Sequence, residues 1–201
     1  MVATVNIVEY NGASTGVATV ITTGRYCTRD SYNPGDNDPC VVPTAGSNYS
    51  YWKTHGLQVT GTSYTTISNI RIYGSGTIAS DWDLNSGKVV IGNKTGGGDS
   101  GLPIANYYQA TGTAGETGHD MNDVTNGHTY YKTGTSNYSA AADLDNYTSA
   151  APLVLDSTAY TSAGNPSGFV SKLAVTQVVI ATDSVQGDKS NTTITIRYDE
   201  I

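Results

Sequence analysis

Several groupings in this chain carry residue types that do chemistry. Gly98-Asp-Ser-Gly101, followed by Leu102-Pro103, has the form of a nucleophilic-serine turn. Such a serine needs a histidine to take its proton and an acid to orient that histidine. The histidine upstream is His55, too close in sequence for a whole barrel to fold between it and Ser100. The segment is therefore read as a glycine-rich turn, and no catalytic residue is assigned. His119-Asp-Met-Asn-Asp123 with His128 offers imidazoles and carboxylates of the kind that bind zinc or iron. Their spacing fits no standard site, so the segment reads as a solvated polar loop. Asp30, Asp36, Asn37 and Asp38 could supply oxygens to calcium, but their spacing does not match the helix-loop-helix pattern. Turn chemistry accounts for them, and neither metal nor cofactor is expected.

The cysteines of the chain are Cys27 and Cys40. They bound a loop rich in Asn, Asp, Pro and Gly that has little else to hold it. A disulfide between them would add roughly 3 kcal/mol on the loop-entropy argument. The alternative is a pair of thiols. Tyr49, Tyr51 and Trp52 form an aromatic cluster that could stack on sugar rings or belong to a core or an interface. Asn48, Asn93, Asn137, Asn146 and Asn191 each match the glycosylation acceptor pattern. Matches of that kind arise by chance in a chain this rich in Asn, Ser and Thr.

The elements that must position these groups are strands. Phe169, Leu173, Val175, Val179 and Ala181 keep a period of two, with Val178 and Ile180 on the opposite side. The run is apolar on both faces, as a central strand must be. Ile194, Ile196 and Tyr198 alternate with Thr193, Thr195 and Arg197, and a polar Gly-containing connection separates the two runs. We read residues 168–201 as a closing antiparallel hairpin. Residues 2–9 and 17–23 read as a strand pair joined by a Gly-rich turn. Leu57–Thr60, Thr65–Tyr73, Lys88–Ile91 and Pro152–Leu155 read as further strands, and Ala140–Leu144 as one helical turn.

Composition agrees. Gly is 23 of 201 residues, Tyr 15 and Phe 1, with 13% charged residues and no helical periodicity. The expected fold is a single all-β domain, an antiparallel β-sandwich of immunoglobulin-like or jelly-roll type. Residues 92–150, rich in Gly and Tyr, form a long insertion in it. That insertion has few aliphatic residues, so it is expected to order by packing on its own domain or on a neighbouring copy. Tyr107, Tyr108, Tyr130, Tyr131, Tyr138 and Tyr147 are its candidate subunit-interface residues, because Tyr gives contact area at low entropic cost.

The net charge of −7 disfavours binding to nucleic acid or to anionic membrane surfaces. The N-terminus, Met1-Val-Ala-Thr-Val-Asn-Ile-Val-Glu-Tyr10, has no basic region and no long apolar core, so it reads as a strand and not as an export signal.

The C-terminal block Phe169-Val-Ser-Lys-Leu-Ala-Val-Thr-Gln-Val-Val-Ile-Ala-Thr-Asp, then Gln186-Gly187, then Thr192-Thr-Ile-Thr-Ile-Arg-Tyr-Asp-Glu200, resembles the closing strands of β-sandwich structural proteins of tailed viruses. The resemblance covers about a sixth of the chain. It implies a non-enzymatic virion protein, made in the host cytoplasm, that decorates a capsid or builds a tail. Its partners would be other virion subunits, among them copies of itself. An acidic subunit of this kind suits the outside of the particle, away from packaged DNA. The alternative is a glycan-binding or adhesion sandwich that uses exposed Tyr and Trp.

Overall fold

The structure, a computed structural model of the chain, describes residues 3–13, 16–35, 37–135, 138–165 and 167–201, with the backbone alone for 138–140. Asp36 of the acidic loop and the Tyr138 side chain lie outside the described residues. The chain contributes strands β1 (Val5–Asn11), β2 (Val17–Ile21), β3 (Ser47–Tyr49), β4 (Lys53–Val59) and β5 (Thr66–Tyr73). A single helical turn, α1 (Ile78–Asp81), precedes β6 (Lys88–Lys94), β7 (Gly112–Thr113), β8 (Thr117–Gly118) and β9 (Tyr138–Asp143). β10 (Leu153–Asp156), β11 (Tyr160–Thr161), β12 (Phe169–Val170), β13 (Ala174–Ala181) and β14 (Thr195–Glu200) complete the set. The fold is all-β and its named strand pairs are antiparallel. Among the described residues, no helix is long and apolar enough to cross a membrane.

The larger sheet runs β2-β1-β4-β13-β6-β9, with β12 added beside β4 and β3 beside β13. A smaller sheet is built around β5, which pairs with β10, β11 and β14. The two sheets face each other over one core. Leu57, Val59, Val89, Ile91, Ala174, Val178 and Ile180 come from the large sheet, and Ile67, Ile70 and Ile72 from β5. Strict alternation would put Ile67 and Ile70 on opposite faces. A bulge solves this. Asn69 takes a left-handed backbone (φ 52), which Asn tolerates better than most residues. The ladder to β14 shifts register there, between Arg197 and Asp199. Ile67 and Ile70 are then both fully buried.

β13 is central and buried on both faces, as its pattern predicts. The expected hairpin with β14 does not form. β13 has β4 and β6 as its neighbours, with β3 continuing one flank, so it has no edge to offer. β14 instead crosses to the other sheet and pairs with β5, where Ile196 and Tyr198 reach the core. The proposed helical turn at Ala140–Leu144 is also corrected. Residues through Asp143 extend as β9 along β6, and a 3-10 turn follows at Leu144–Asn146.

The insertion covers the outer face of the large sheet. Leu102, Ala110, Met121 and Tyr131 pack there against Val8, Tyr10, Trp52, Val90, Leu173 and Val175. Gln177, fully buried on that face of β13, ties the layer down: its Oε1 accepts from Met121 N at 2.8 Å. Its Nε2 donates to Ser50 O (2.8 Å) and His119 O (2.7 Å). Two tyrosine hydroxyls of this layer are tethered to backbone, Tyr131 Oη to Ser100 O at 2.6 Å and Tyr107 Oη to Gly12 O at 3.0 Å.

The seat of Tyr131 gives a direct test of this layer. A Cβ on Gly92, in β6, would lie 2.5 Å from Tyr131 Cζ. Gly92→Ala is expected to cost about 1–3 kcal/mol through overpacking, read as a lower urea midpoint. An unchanged midpoint would mean that the insertion is not packed on β6.

Candidate functional site

Where the inner face of the large sheet turns polar, the sheets enclose a cleft of about 400 Å³. Its floor comes from β1, β4 and β13. Pairing of β1 with β4 sets Glu9 opposite His55, and the alternation of β4 puts Lys53 on the same face. Glu9 is fully buried and accepts three hydrogen bonds. Lys53 Nζ (3.1 Å) and Asn11 Nδ2 (3.1 Å) reach Oε1, and His55 Nε2 (3.1 Å) reaches Oε2. Lys53, itself 2% exposed, also donates to Ser31 O. Burial alone raises the Glu9 carboxyl pKa; the hydrogen bonds and charges of His55 and Lys53 outweigh it and hold the group below the ordinary carboxylate range. Since a carboxylate only accepts, His55 Nε2 carries the hydrogen in this contact. Among the described residues, its Nδ1 has no partner.

Two aromatic side chains wall the cleft. Tyr26 and Trp82 meet edge to face with centroids 5.9 Å apart. Tyr26 Oη donates to Thr176 Oγ1 (2.8 Å) and Trp82 Nε1 to Ser190 O (2.8 Å), so their polar atoms are already used. Burial raises the Tyr26 pKa further still above its ordinary value. Thr22, Thr23, Asn191, Thr192 and Thr193 also line the cleft. Within the described residues, none of these five side chains makes a hydrogen bond. The arrangement suits non-covalent binding: an oriented imidazole, aromatic walls and short polar side chains with open valences.

The groups singled out from sequence lie elsewhere. Ser100 is 2% exposed, and its hydroxyl donates to Asn93 Oδ1 (2.8 Å) and accepts from Lys94 N (3.3 Å). It serves as a structural bridge between β6 and the loop after it. Among the described residues, no group of three metal-ligating side chains assembles. His119 pairs with Thr111 (2.9 Å), while Asp120 and Asp123 accept from backbone amides of their own turns. His128 is not part of a solvated loop. It is fully buried among Trp52, Tyr108 and Tyr131, with ring centroids 5.2 to 5.7 Å away.

Cys27 and Cys40 are unbridged thiols in the structure, one of the two arrangements left open by the sequence. Cys27 Sγ donates to Arg29 O at 3.1 Å, and burial together with the neighbouring Cys27 pushes the Cys40 thiol up to about 12. The loop between them closes without a covalent bridge. Thr28 N donates to Asp38 O (2.8 Å), Thr28 Oγ1 reaches Asp38 O and Pro39 O, and Arg29 pairs with Asp38. Arg25 Nη1 reaches across to Gly35 O at 2.6 Å.

The tyrosine assignments also divide. Tyr131 is fully buried inside its own chain and cannot be a subunit contact. Tyr107 and Tyr130 pack on the outer layer and Tyr147 on the main core, each half-buried. Of the set, Tyr108 is exposed at 36%. Tyr51 and Trp52 are buried, which removes them as an open sugar-stacking surface. The sequence reading missed the cleft because Glu9, Lys53 and His55 are spread over two strands. The usable signal was charged residues at inward positions of otherwise apolar strands.

No protein family, curated protein or solved structure matches this chain.

Proposed function

We propose that the chain is a non-enzymatic structural subunit of a virion, a capsid decoration or tail protein, which joins other subunits through the bare edge of β2. The observation that carries the assembly part is how differently the sheet edges are treated. An unpaired strand edge is a template for another chain, and folded proteins usually blunt it. β10 is capped by the chain itself, with Ser100 N donating to Val154 O and Gly101 N to Leu155 O, both at 2.9 Å. β14 carries Arg197, Asp199 and Glu200 and a register shift. β9 receives the Asn122 side chain on Ala141 N.

β2, Val-Ala-Thr-Val-Ile, has no charge, no proline and no bulge in its five-residue ladder to β1. Among the described residues nothing pairs its outer edge, and Val17 (70%) and Val20 (53%) stand exposed. The virion part of the reading is supported by the C-terminal resemblance and by the acidic net charge of −7. The Gly- and Tyr-rich insertion is occupied within its own chain, so the assembly surface moves from there to β2.

The test is oligomeric state by light scattering. The chain is expected to run above its 21.0 kDa monomer mass. Val20→Lys, which places a charge on an exposed side chain at the edge, is expected to return it to monomer with little change in unfolding midpoint. A monomeric parent at high micromolar concentration would remove the self-assembly reading. A search for this chain in purified virions by mass spectrometry tests the particle assignment separately.

A further inference from the structure

The geometry points to a second activity, independent of assembly: the cleft between the sheets binds a sugar ring, as one pyranose unit of a saccharide. Its volume of about 400 Å³ lies at the small end of small-molecule sites, which run about 300–1,000 Å³. The chemistry of the lining selects the ligand class. A sugar ring has an apolar C–H face and a belt of hydroxyls that both donate and accept. Trp82 and Tyr26 supply an aromatic wall whose own polar atoms are satisfied elsewhere, so the rings offer apolar surface and no competing donor.

Thr192, Thr193 and Asn191 lie on the segment leading into β14, and Thr22 and Thr23 on the one leaving β2. All are short side chains that make no hydrogen bond within the described residues. A purely apolar ligand would leave those groups without partners, and burying them unpaired is costly. A phosphorylated ligand is disfavoured from the other side: the Lys53 ammonium is held by Glu9 and Ser31 O, and Arg25, the other cation of the lining, is tied to Gly35 O. His55, fixed by Glu9 through Nε2, retains Nδ1 for a hydroxyl. The site is separate from Tyr49, Tyr51 and Trp52, where the sequence suggested stacking.

The experiment is a titration of the ¹⁵N-labelled protein with the methyl glycosides of glucose, galactose, mannose and N-acetylglucosamine, each to tens of millimolar, followed by amide and indole shifts. At least one glycoside is expected to give saturable shifts at Gly24, His55, the Trp82 indole and residues 191–193. The double variant Thr192→Val/Thr193→Val, with both positions at the cleft mouth, is expected to weaken that binding at least tenfold while its unfolding midpoint stays within error of the parent. Lack of saturable shifts in the cleft with all four glycosides would overturn the proposal. So would saturable shifts centred on Tyr107 and Tyr108, or cleft binding that the double variant leaves intact. Assembly through β2 is read by mass, so either proposal can fail without the other.

Discussion

Glu9→Gln is expected to destabilise the fold by about 3–5 kcal/mol, the usual cost of removing one partner from a buried ion pair. Glu9 is fully buried and Lys53 nearly so, and they meet at 3.1 Å. The substitution keeps the shape of the side chain but takes away the charge that compensates Lys53. It also weakens the acceptor for His55 and Asn11. The partner that remains is a cation inside the sandwich with a backbone carbonyl for company. Replacing both, as Glu9→Gln/Lys53→Met, is expected to recover most of the loss, because no uncompensated charge is then left buried. Urea unfolding of the parent, the two single variants and the double variant gives the coupling directly. Additive losses across that cycle would show that the pair does not act as a unit.

Acidification from pH 7 to pH 4.5 is expected to remove roughly 2–3 kcal/mol of stability, at about 1.4 kcal/mol per pKa unit. The source is His128. It is fully buried among aromatic rings, and burial lowers its pKa from 6.5 to about 3. Tyr130 N donates to its Nδ1 at 3.1 Å, so the proton of the neutral ring sits on Nε2, which has no partner among the described residues. Between about pH 6.5 and 3 the unfolded chain binds a proton that the folded chain refuses. Stability therefore rises with pH through that window, is complete above it, and is lost as the pH falls.

Glu9, Asp99, Asp123 and Asp183 also have lowered pKa values in the fold. Their stabilising contributions are lost at more acid pH, mostly below the window measured here. His128→Phe keeps an aromatic ring in the box. It is expected to lower stability at pH 7, since Tyr130 N loses its acceptor, yet to flatten the slope between pH 7 and 4.5. A variant with the same slope as the parent would place the acid sensitivity elsewhere.

Much of the architecture was legible locally. β-branched alternation marked β5, β6 and β13, the two-faced apolarity of β13 marked it as central, and the pair β1 and β2 followed from two extended runs around a Gly-rich turn. The closing hairpin was not legible, because proximity in sequence says nothing about whether a strand already has both flanks filled. The periodicity of β5 could not place Ile67, because one left-handed residue at Asn69 shifts the face of everything before it.

The sequence by itself determined the class of fold and the acidic surface, because strand periodicity and net charge are sums over local residues. Tertiary structure alone decided which polar residues meet. Glu9, Lys53 and His55 are separated by up to 46 positions and become one cluster only when β1 pairs with β4 in this register. Slipping that register by one residue would turn Glu9 toward the other face of the sheet. It also decided that His128 lies buried against Trp52 and Tyr108, and that the Gly- and Tyr-rich stretch is a second layer on its own sheet. Few aliphatic residues lie in that stretch. It is held by tyrosine rings and by hydrogen bonds to Gln177, and such partners are set by three-dimensional juxtaposition and leave no period in the chain.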